Sequence, residues 1–177
     1  ATDSGNNVVV LNGGTNSVTA STGTDTITAS GGLNTINAGD GNDRITLNNG
    51  TNSVVAGIGI DTITASSGIN TIDAGNDADV ITLNGGNNTL MAGSGDDSIT
   101  AGGGTNTIAT DSGNNTVVLN NGTNSVTAGT GADTITAAGG LNTINAGSGD
   151  DTIILNNGTN SVVAGVGIDI ITASSGT

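Results

Sequence analysis

The chain repeats every nine residues along its whole length, without an insertion or a deletion. Cut from Ala1, its 177 residues form 19 full units and a six-residue remnant. The ninth position is aliphatic in all 19 units, from Val9 and Val18 to Ile171. The fifth is Gly in 19 of 20 units, with Asp77 the exception, and the seventh is always Asp or Asn. Nine residues cannot close a helix–turn–helix repeat, but they fit one short strand and one tight turn. Positions eight, nine, one and two, as in Thr26-Ile27-Thr28-Ala29, alternate polar and apolar, the period of a half-buried strand. Positions three to seven, as in Gly39-Asp40-Gly41-Asn42-Asp43, read as the turn, where Gly supplies the positive φ of tight corners.

A second period lies on the first. Even units carry Asn at position seven every time: Asn16, Asn34, Asn52, Asn70, Asn88, Asn106, Asn124, Asn142 and Asn160. Odd units carry Asp there in eight of ten, with Asn7 and Asn115 as exceptions. All 15 Asp and the single Arg, Arg44, fall in odd units. The structural repeat is therefore 18 residues, two units per coil, with odd turns stacked on one edge and even turns on the other. This predicts an all-β fold, a parallel β-roll or β-solenoid of about ten coils, with residues 1–177 as one repeat array. Residues 109–177 match residues 1–69 at 57 of 69 positions, a duplication 108 residues apart. Neither end carries an atypical capping unit, so we read the array as a fragment of a longer one, or as a piece that stacks end to end with copies of itself.

Composition narrows function by exclusion. There is no His, Glu, Lys, Cys, Pro or aromatic residue, and the net charge is −14. A Ser-His-Asp triad and a Cys/His zinc site cannot be built. Nucleic-acid binding lacks the basic clusters that it requires. No run of 18 apolar residues is present to span a membrane. The chain reads as a non-enzyme.

The segment Ala38-Gly39-Asp40-Gly41-Asn42-Asp43-Arg44-Ile45-Thr46 resembles the RTX, or haemolysin-type, calcium-binding nonapeptide G-G-x-G-x-D-x-U-x. Ala92–Thr100 and Ala146–Ile154 read the same way. The resemblance implies a β-roll of two parallel sheets. It implies Ca2+ held between turns on one edge by aspartates and turn carbonyls of successive coils, in proteins that are typically secreted. Only the odd units carry the signature, and their first Gly is replaced by Ala or Thr. Calcium is therefore expected on the odd edge alone, at Asp25, Asp43, Asp61, Asp79, Asp97, Asp133, Asp151 and Asp169. Six intervals separate adjacent Asp-bearing odd turns. Asn7 and Asn115 interrupt the series, and Asp77 stands where a turn Gly is expected.

Charge supports this placement. Carboxylates stacked ~4.8 Å apart repel by roughly 3.5 kcal/mol at an effective dielectric of 20. One Arg cannot neutralise such a file. Ca2+ accepts irregular shells of six to eight oxygens, whereas Mg2+ demands near-octahedral geometry. The bland alternative is a solvated acidic edge. The even edge needs no ion, because Asn in register can pass amide hydrogen bonds from coil to coil. The leading functional expectation is an extracellular, calcium-stabilised rod, part of a filament, surface layer or adhesin stalk, that self-associates into fibres. The alternative is ice binding through outward Thr pairs on odd strands, Thr26/Thr28, Thr62/Thr64 and Thr134/Thr136. That row is broken by Val8/Val10, Arg44, Val80 and Ile170.

Overall fold

The computed structural model describes residues 4–175 and contains strands and turns only. Odd-numbered strands, β1 (Val8–Leu11) through β19 (Ile170–Ala173), form one sheet of ten. Even-numbered strands, β2 (Thr15–Thr19) through β18 (Thr159–Val166), form a second sheet of nine. Every pairing is parallel, and each strand pairs with those one coil before and after it. Ile27 lies opposite Ile45, and Ile45 opposite Ile63, a step of one 18-residue coil. The fold is thus the expected β-solenoid, with nine full coils and one further strand.

The even strands differ from the four-residue reading. β4 (Leu33–Asp40), β6 (Thr51–Ile58) and β8 (Ile69–Asn76) have eight residues each, twice the length of β3 (Thr26–Ala29) or β5 (Arg44–Leu47). Their ladders run on through third-position glycines, Gly39 opposite Gly57 and Gly57 opposite Gly75. A Gly-rich polar stretch reads locally as a turn. Stacking on the equivalent stretch one coil away lets it pair as strand.

Side chains at positions nine and two point inward from both sheets. Ile27, Ala29, Ile45, Leu47, Ile63 and Ala65 are fully buried, as are their counterparts on the even strands. Burying each large aliphatic side chain in this way stabilises the fold by about 1.5–3 kcal/mol. The slab between the sheets is one aliphatic layer per strand, which explains how the fold does without aromatics.

The even edge is held by the expected amide file. Each Asn at position seven donates from Nδ2 to Oδ1 of the Asn one coil on, for example Asn34 to Asn52 at 2.8 Å and Asn52 to Asn70 at 2.7 Å. The run is continuous from Asn16 to Asn160. The second amide hydrogen closes the turn, as in Asn34 Nδ2 to the Gly31 carbonyl at 3.0 Å. Both sides of the amide are satisfied, so this edge is self-sufficient.

Candidate metal centre

The odd edge stacks a carboxylate at position seven, and its file runs through backbone N–H donors where the even file runs through side-chain amides. Asp25, Asp43, Asp61, Asp79, Asp97, Asp133 and Asp151 are each 0–2% exposed. Asp169, in the last odd turn, is only half-buried. The solvated-edge reading therefore fails for position seven. It holds for the acids further out on the same turns, because Asp40, Asp77, Asp96, Asp111 and Asp150 are exposed.

Each buried carboxylate uses one oxygen to bind the coil before it. The backbone N–H of Asp25 donates to Asp43 Oδ1 at 2.7 Å, that of Asp43 to Asp61 at 2.7 Å, and that of Asp61 to Asp79 at 2.7 Å. The same bond links Asp79 to Asp97 and Asp133 to Asp151 at 2.8 Å, and Asp151 to Asp169 at 3.0 Å. The other oxygen is orphaned. Oδ2 of all seven buried aspartates is out of contact with solvent and accepts no hydrogen bond. A buried anion with a bare oxygen is costly, since an unsatisfied buried polar group forfeits about 1–3 kcal/mol and a charged one more.

The titration behaviour follows from this geometry. Burial raises the carboxyl of Asp79 to about 7 and that of Asp61 to about 6. The backbone bond from the preceding coil opposes that rise, and neighbouring aspartates, Asp77 among them, add to it. Burial likewise raises Asp43, Asp97, Asp133 and Asp151.

No three acidic side chains converge on a point among the described residues. The site offers one buried carboxylate per coil in file, each with one oxygen left without a partner. A row of orphaned oxygens fits a hard cation that takes its remaining ligands from turn carbonyls. One contact that spacing alone did not suggest lies at position six, where a side chain staples the outer turn to the next coil. Asn42 Oδ1 accepts from the Ile60 N–H at 2.9 Å, and Asp96 Oδ1 from the Asn114 N–H at 2.7 Å. The signal was present as the frequent Asn or Asp before the position-seven residue.

A parallel two-sheet solenoid with one buried acidic edge defines a cation-binding β-roll. The sequence matches the RTX calcium-binding nonapeptide repeat model over residues 2–27, 19–54, 55–90, 82–117, 119–153 and 154–177. The chain belongs to that family, and Ca2+ is its cation. No curated protein matches the sequence. Among solved structures it is similar to a hyperactive, Ca2+-dependent, β-helical antifreeze protein from an Antarctic bacterium. The identity is 22% and the TM-score 0.55, over 99% of this chain and 79% of that one. That likeness is one of fold.

Proposed function

We propose that this chain is an extracellular structural rod whose coils are locked by calcium. Asp25, Asp43, Asp61, Asp79, Asp97, Asp133, Asp151 and Asp169 are the side chains that hold the ions, through the oxygens left unpaired by the file of backbone bonds. The observation that carries the reading is the unbroken 18-residue register, which stacks seven buried carboxylates on one edge and an amide file on the other. The ion supplies positive charge between buried carboxylates, so ordering the coils and binding the metal are one event. The repeat itself is a structural fold. Ten stacked strands at β-stacking spacing span roughly 45 Å.

Small-angle scattering of the calcium-loaded chain tests this. The expected particle is a rigid rod that assembles into longer fibres as concentration rises. A compact particle of constant mass over the whole range contradicts it.

Ice binding stays as a second reading, on a different face from the one expected. The odd-strand Thr are half-buried, as at Thr26, Thr28, Thr62, Thr64, Thr134 and Thr136. The even sheet instead carries an exposed hydroxyl at position eight in every coil: Ser17, Thr35, Ser53, Thr71, Thr89, Thr107, Ser125, Thr143 and Ser161. The similarity to an antifreeze protein gives this file added interest. Thermal hysteresis of the loaded chain separates the readings, because a plain rod shows none.

A further inference from the structure

Two odd units break the acidic file, and both break it in the same way. Eight odd units pair Ala at position two with Asp at position seven. The first and thirteenth pair Thr with Asn instead, Thr2 with Asn7 and Thr110 with Asn115. Thr2 lies outside the described residues. Thr110 and Asn115 are 0% and 1% exposed.

Asn115 keeps the carboxylate's share of the file. Its Oδ1 accepts from the Asp97 N–H at 3.0 Å, and its own N–H donates to Asp133 Oδ1 at 2.8 Å. The difference is at the other atom. Where each aspartate has an orphaned oxygen, Asn115 has Nδ2, which donates to the Gly113 carbonyl at 3.0 Å and to Thr110 Oγ1 at 3.1 Å. The Thr110 hydroxyl in turn donates to the Ala128 carbonyl one coil on. Asn7 repeats the first of these bonds, from Nδ2 to the Gly5 carbonyl at 2.6 Å.

Thr and Asn act as a matched pair. Ala at position 110 would strip the amide of its second acceptor. Asp at position 115 would set oxygen against the Gly113 carbonyl. With both present, every side-chain polar atom of the pair is engaged and no positive charge is called for.

We infer that the Thr110–Asn115 coil is a calcium-independent rung that divides the ion file into two separately loading segments, Asp25–Asp97 and Asp133–Asp169. The inference rests on the reading that the position-seven aspartates hold calcium. The 108-residue duplication places the same residue types at both sites, Thr2 with Asn7 and Thr110 with Asn115, one such pair per six coils of sequence.

Two double variants test it, with bound Ca2+ counted by equilibrium dialysis against the wild type. Thr110→Ala/Asn115→Asp restores the acidic pair and creates two new intervals, to Asp97 and to Asp133. It should bind two more ions and load as one cooperative file. Ala56→Thr/Asp61→Asn transplants the rung into the first segment. It should bind two fewer ions and keep more β signal in EDTA. Ion counts and EDTA resistance equal to wild type in the transplant overturn the inference, even if the first variant fails to fold. Wild type that binds no calcium overturns the metal reading itself, and this inference with it.

Discussion

Chelating calcium with EDTA at pH 7.5 is expected to remove most of the β-sheet signal of this chain, and Ca2+, not Mg2+, should restore it cooperatively. The reason lies in the seven buried carboxylates with a bare Oδ2. Each Oδ1 is already committed to the coil before it, so the file cannot relax without breaking the stack. The aliphatic layer is thin and contains no aromatic residue, so it cannot carry that cost alone. Mg2+ is a poor substitute because it releases its waters reluctantly and imposes octahedral geometry.

Protons should partly replace the ion, which gives the effect a distinctive pH dependence. Asp61 and Asp79 have folded-state values of about 6 and about 7, against 3.8 for a solvated aspartate. Without calcium, the folded chain binds these protons more tightly than the unfolded chain does. Their contribution is fully present below about pH 4 and is lost as pH rises through 6 and 7. Acidifying the EDTA-treated chain from pH 7.5 to 5 should therefore recover β signal. With calcium present the sign reverses. Ion and proton compete for the same oxygen, so calcium affinity should weaken over that same descent. Far-UV circular dichroism at the two pH values checks both arms. A β spectrum indifferent to EDTA at pH 7.5 would remove calcium from the account.

Replacing Gly41 with Ala should be among the most damaging conservative substitutions. Gly41 has φ +137°, a conformation that side chains disfavour. A Cβ there would also overlap the carbonyl oxygen of Gly23 in the coil before it. Strain of the left-handed kind costs about 1–2 kcal/mol and overpacking about 1–3 kcal/mol, so a loss of about 3 kcal/mol is expected. The obstacle is backbone, which cannot swing aside. Gly13→Ala is the control, because no atom lies within 4 Å of its added Cβ and its φ is not positive. It should change stability by less than about 0.5 kcal/mol. Urea unfolding in saturating calcium measures both. Equal losses at the two sites would mean that coil stacking does not set the Gly requirement.

Most of the architecture is legible in the sequence because a strict repeat turns local pattern into global geometry. The aliphatic ninth position locates the core, and the sorting of Asp to odd units and Asn to even ones separates the edges. What escapes is whatever depends on the neighbouring coil. Leu33–Asp40 reads as a short strand plus turn, and becomes one eight-residue strand only when Gly39 stacks on Gly57. Position seven singles out Asp43 over Asp40 in the sequence, but it does not say that Asp43 is buried with a bare oxygen while Asp40 is exposed. Asp77 occupies a Gly position by adopting φ +75°, the left-handed well that aspartate tolerates. The Thr110–Asn115 pairing is visible as covariation between repeats, but its meaning comes from where the Asn115 amide points.

The most direct test of the calcium file is a crystal structure of the calcium-loaded chain with data collected at a wavelength where calcium scatters anomalously. A row of anomalous peaks is expected along the odd edge, each beside an aspartate Oδ2 from Asp25 to Asp97 and from Asp133 to Asp169, with no peak at Asn115. Peaks confined to the exposed Asp40, Asp96 and Asp150, with the buried Oδ2 atoms unligated, would contradict it.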